Sequence, residues 1–99
     1  MKFWSKKTAD EGDKKEKTIA LGAKAQQLLD DETLAQAFSE IEDRFIERWK
    51  ISTDATERDR CWMAINLTGQ LRNMLVKFVN DGKLSQSDLD ALLAQDKAA

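Results

Sequence analysis

The first seven residues of the chain hold three lysines and two large aromatics, Lys2-Phe3-Trp4-Ser5-Lys6-Lys7 after the initial Met. On a mobile segment, Phe3 and Trp4 can anchor a docking peptide while Lys2, Lys6 and Lys7 meet an acidic partner or phosphates; alternatively the two aromatics fold back onto the protein's own core. A second group of cations, Arg44, Arg48, Lys50, Arg58 and Arg60, flanks Ser52, and Trp49 and Trp62 lie among them. A turn near Ser52 would bring these residues to one end of a helix pair. Glu47, Asp54, Glu57 and Asp59 leave that end with a local charge of only +1, too little for a phosphate-binding field. Trp and Arg are instead the residue types enriched where protein partners bury surface, and capping of the core is the alternative role for both tryptophans.

Catalytic and metal-binding patterns are weaker. Glu40, Asp43 and Glu47 could share one flank of a helix, but Arg44 and Arg48 interleave them, as in a solvated charged face. Cys61, the single thiol, has Arg58 and Arg60 nearby and no imidazole to act as base, so it reads as a small core residue. Asn80-Asp81-Gly82 through Leu89 resembles half of a calcium loop. With Gly82 at the sixth position, however, Lys77 and Val79 would fall where ligands are required, and a helix stop followed by a new cap explains the same residues.

Composition narrows the field further. The chain has 99 residues, 41% hydrophobic and 34% charged, enough for one compact domain. Sixteen Lys and Arg stand against 18 Asp and Glu, so the net charge of −2 gives no broad basic surface. Without His and with one Cys, disulfide frameworks, His/Cys zinc sites and imidazole-dependent catalysis are excluded. No run approaches the roughly 20 apolar residues of a membrane span, and no apolar secretory signal opens the chain. The expectation is a small soluble protein of a reducing compartment, not an enzyme, with no cofactor, no metal and no membrane partner.

The elements that must position these residues are helical throughout. Residues 1–17 carry six Lys and four acids and almost no aliphatic side chains, so residues 1–16 are expected as a flexible charged leader ahead of one helical domain, residues 17–99. Leu21, Ala25, Leu28 and Leu29 predict a short first helix, about Lys17 to Leu29. Asp31 supplies a cap for a second, about 31–50, with a seam of Leu34, Phe38, Ile41, Phe45 and Trp49. Asp54 and Glu57 have the spacing of a capping box for a long third helix, about 54–79, carrying Ile65, Leu67, Leu71, Met74, Leu75 and Phe78. Gly69 in its middle marks either a tolerated weakness or the close approach of another helix. Asn80-Asp81-Gly82 ends it, and Ser85 caps a fourth helix, about Gln86 to Gln95, with Leu84 stapled on Leu89. The predicted fold class is all-α: a small helical bundle in which a long antiparallel hairpin is clasped by two shorter helices. The surplus of apolar positions on the third helix predicts self-association or a protein partner along it.

Ala25-Gln26-Gln27-Leu28-Leu29-Asp30-Asp31, Phe38, Ile41-Glu42, Phe45-Ile46-Glu47-Arg48-Trp49-Lys50, Arg58, Leu71-Arg72 and Val79-Asn80-Asp81-Gly82-Lys83 resemble small helical proteins of uncharacterised role encoded by tailed bacteriophages and prophages, often near capsid and packaging genes. The similarity covers about residues 20–83. It implies a viral setting in the host cytoplasm or the virion, with phage structural or assembly proteins as partners. It carries no activity and no catalytic residue. The residues read as partner-binding are Phe3, Trp4, Lys6, Lys7, Arg44, Arg48, Trp49, Arg58 and Trp62. The alternatives are a nucleic-acid-binding packaging or regulatory protein, using the leader lysines and the arginine-rich end, and a small inhibitor of a host protein.

Overall fold

The structure, a computed structural model, describes residues 2–98, with side-chain surroundings for residues 11–95. Every element among them is helical: α1 (Lys2–Asp30), α2 (Glu32–Ile51) and α3 (Ala55–Ala98). The two breaks fall where side chains can satisfy free helix ends. Asp31 Oδ1 accepts the Leu34 amide at 3.0 Å and so caps α2. At the next break, Asp54 Oδ1 accepts the Thr56 amide at 3.2 Å, while the Asp54 amide donates to Ser52 Oγ at 3.2 Å. That hydroxyl also lies 3.2 Å from Glu57 Oε2, so Ser52 stands between the two acids, where a capping box would have Glu57 reach the Asp54 amide directly.

Two expected boundaries are corrected. The first helix begins at Lys2 rather than near Lys17. Asp10 to Lys14, Glu11 to Lys15 and Asp13 to Lys17 place an acid four residues before a lysine, the spacing that supports a helix, and no Pro interrupts the segment. The third helix does not stop at Asn80-Asp81-Gly82 and restart at Ser85. It runs unbroken from Ala55 to Ala98, no described glycine has a positive φ, and Ser85 and the Leu84–Leu89 pair are helix interior rather than cap and staple.

The described chain forms two compact units. One comprises α1 up to Gln26 and α3 from Val76 onward. Its crossing is made at glycine. A Cβ on Gly22 would lie 2.7 Å from the Phe78 carbonyl oxygen and 3.1 Å from the Gly82 Cα; one on Gly82 would lie 3.2 Å from both the Gly22 Cα and the Thr18 carbonyl oxygen. Backbone therefore touches backbone, which only glycine permits. This contact explains why α3 passes through Gly82: the helical penalty of about 1 kcal/mol for a mid-helix Gly is offset by the approach that its missing side chain allows. Ala25 and Val79 are buried beside the crossing. Lys15 reaches Asp88 at 3.4 Å further along the same two helices. Gly69, by contrast, has nothing within 4 Å of where its Cβ would stand, so it marks no close approach.

The other unit, Gln27–Leu75, contains α2 and the first half of α3. Here side chains fill the space. Phe38 is buried, Leu34, Phe45 and Ile65 are half-buried, and Cys61 is buried as a free thiol. The guanidinium of Arg72 lies 5.3 Å over the Phe38 ring, and its Nη1 forms an ion pair with Glu42 Oε1 at 2.9 Å. The inward positions of α3 in this unit are Cys61, Ile65, Thr68, Arg72 and Leu75, at alternating spacings of four and three. Ile41, Trp49, Leu71 and Met74, all expected in the hairpin core, are exposed. Thr68 and Arg72 occupy the inward line instead. Thr68 faces inward without penalty because its Oγ1 donates to the Ala64 carbonyl at 2.9 Å, and Arg72 does so by laying its head on Phe38 and Glu42.

Candidate interaction surface

The break at Ser52–Asp54 assembles part of the expected Trp/Arg cluster. The Ser52 amide donates to the Arg48 carbonyl at 3.0 Å, which closes α2. Arg58, one turn into α3, then reaches back: its Nη1 donates to the Ser52 carbonyl at 3.3 Å, and its guanidinium carbon lies 4.4 Å from the centroid of the Trp49 ring. This stacking shields one face of the indole and fixes the Arg58 side chain. Trp49 and Arg58 are thus brought together. Arg44 and Arg48 are exposed on α2, and Lys50 lies 3.9 Å from Glu47. The side chains of Phe3, Trp4, Lys6 and Lys7 lie outside the described residues.

Trp62 is exposed on α3, where it borders an open hollow of about 580 Å³ with Met63, Asn66, Leu67 and Gln70. It does not cap the core. Leu71 and Met74 continue the same outward side of the helix, opposite the inward line through Cys61, Ile65, Thr68 and Arg72. A smaller hollow of about 220 Å³ adjoins the glycine crossing of the other unit, lined by Ile19, Ala23, Val79 and Gln86 among others. The outward face of α3 was only partly visible in the sequence. Leu67, Leu71 and Met74 read there as apolar positions of the third helix, whereas Met63 does not stand out. The available signal was the charge pattern: between Cys61 and Val76 the only charged residue is Arg72.

Glu40 accepts from Gln36 Nε2 at 3.1 Å, and Glu47 is the partner of Lys50. Lys77–Asp88, the stretch resembling a calcium loop, is continuous helix, with Lys77 paired to Asp81 at 3.3 Å. Among the described residues no group of three or more His, Cys, Asp or Glu is placed to share a metal ion, and no buried side-chain nitrogen or oxygen lacks a partner. No helix among the described residues is long and apolar enough to cross a membrane. Fold and surface together define an all-helical protein with an apolar helix face turned to solvent. No family model, curated protein or solved structure matches the chain.

Proposed function

We propose that this chain is a non-enzymatic protein–protein interaction module of a tailed bacteriophage, acting in virion assembly or within the particle. The observation that carries the interaction reading is the row of exposed apolar side chains on α3, Trp62, Met63, Leu67, Leu71 and Met74. An amphipathic helix normally turns such residues inward, and an apolar face kept outward is the usual mark of a contact surface. The phage setting rests on the resemblance of residues 20–83. In this reading α2 and the first half of α3 form an antiparallel hairpin, supported by the order of their contacts, Trp49 with Arg58 near the break and Phe38 and Glu42 with Arg72 further from it. The hairpin presents the α3 face, while Arg44, Arg48 and the stacked Trp49–Arg58 pair border its end; the Phe3–Trp4 tip with Lys6 and Lys7 adds a second contact. The protein works in the host cytoplasm and enters the virion with its partners.

The test is co-elution of the purified full chain with purified capsid and portal proteins of the encoding phage. A stable complex weakened by Trp62→Ala supports the proposal. Binding only to DNA, with log affinity falling linearly against log salt, would transfer the protein to the packaging or regulatory class.

A further inference from the structure

We infer that the outward face of α3 between Trp62 and Met74 pairs with the same face of a second copy of this chain, forming a symmetric dimer. The inference rests on the interaction-module reading and names a partner for it. Three observations select a second copy.

The first is area. Trp62 is 60% exposed, Met63 59%, Leu67 67%, Leu71 54% and Met74 47%. With a large aromatic offering about 150 to 250 Å² when whole, these five side chains present on the order of 500 Å² per copy. Trp62 and Leu71 lie on opposite flanks of the stripe, so two such faces bury at most about 1,000 Å², the low end for a specific interface.

The second is charge. In a two-fold contact the residues on the axis meet their own copies, so a charge at the centre would face its own sign. From Cys61 to Val76 the sole charged residue is Arg72, in a chain that is 34% charged. Arg72 is turned away from this face and engaged with Glu42 at 2.9 Å. The face is therefore neutral, which suits self-pairing and offers no charge complementarity to an acidic or basic partner.

The third is the polar content of the face. Asn66, Gln70 and Asn73 carry amides, each both donor and acceptor, so one near the two-fold axis can hydrogen-bond to its own copy and the others can pair with amides they meet across the contact. Met63, Leu67, Gln70 and Met74 recur at spacings of four, three and four, the seam along which two helices pack side by side. At about 1.5 Å per residue the contact runs for roughly 20 Å along a helix with no break in it.

Sedimentation velocity of the full chain across the micromolar to millimolar range tests the dimer. The mass should move from one copy to two as concentration rises. Leu67→Glu sets a like charge near the centre of the contact on an already exposed position; it should keep the helical circular dichroism and raise the dissociation constant on the order of 30-fold or more. Gln70→Lys should weaken the dimer as well. Mixing Leu67→Glu with Leu67→Lys should restore pairing beyond that of either variant alone, an outcome a merely structural role for Leu67 would not give. A wild-type chain that stays monomeric throughout, or a Leu67→Glu variant that dimerises as tightly as wild type, overturns the inference. A monomeric chain that still co-elutes with a capsid or portal protein overturns the dimer and leaves the interaction-module reading standing.

Discussion

At Gly22 and Gly82 two helices touch backbone to backbone, whereas at Phe38, Arg72 and Glu42 two helices meet through the full length of their side chains. The glycine contact gains dispersion and close packing from what is absent, so it fails on addition of a single carbon. The side-chain contact fails on removal: an aromatic ring, a guanidinium and a carboxylate each fill part of one gap, and truncating any of them leaves the others partly exposed or unpaired. One protein thus contains a region sensitive to added volume and another sensitive to lost volume.

The largest expected effect tests the second half of this contrast. Phe38→Ala should destabilise the chain by about 3 to 4 kcal/mol in denaturant unfolding, since Phe38 is the one large side chain buried in the α2–α3 unit. A loss below about 1 kcal/mol would mean that this unit does not depend on its ring. Next comes Gly22→Ala, where the new Cβ meets the Phe78 carbonyl oxygen at 2.7 Å. The gain of about 1 kcal/mol in helix propensity should be overwhelmed, giving a net loss of about 2 kcal/mol. Arg72→Ala should cost about 1 to 2 kcal/mol by removing the contact over Phe38 and the half-exposed pair with Glu42, and in added salt the difference from wild type should shrink only by the ion-pair share. The smallest effect has the opposite sign. Gly69→Ala should raise the thermal midpoint, with about 0.5 to 1 kcal/mol gained, because its Cβ would meet nothing within 4 Å. Equal responses at Gly22 and Gly69 would erase the distinction between the two regions.

The local signals in the sequence were the readable ones. Asp31 and Asp54 announce helix starts because a cap needs only its own two or three neighbours, and Phe38 and Cys61 fall on the correct faces because periodicity fixes a face over short distances. Gly82 misleads for the complementary reason. Asn80-Asp81-Gly82 is a sound local stop signal, but Gly22, sixty residues earlier in the chain, supplies the contact that keeps the segment helical, and no local pattern contains that information. The start of α1 is hidden because composition registers the charges of residues 1–16 but not their spacing. Periodicity alone gives α3 the wrong phase, because it assigns the apolar residues to the inward line. Thr68 and Arg72 hold that line because each has a partner there, and Leu71 and Met74 are displaced to the surface. Of the candidate site, the Trp49–Arg58 pairing was legible from the turn, while the apolar face was masked by the same assumption about phase.

Trp62 gives this face an optical consequence. Indole emission shifts to the blue when water around the ring is replaced by apolar atoms, and Trp62 stands exposed at the rim of the face while Trp49 already has one side covered by Arg58. Any partner that settles on α3 therefore changes the surroundings of Trp62 much more than those of Trp49. A blue shift that grows with concentration, and disappears in Trp62→Phe but persists in Trp49→Phe, would report occupancy of the face from the protein's own fluorescence without a label.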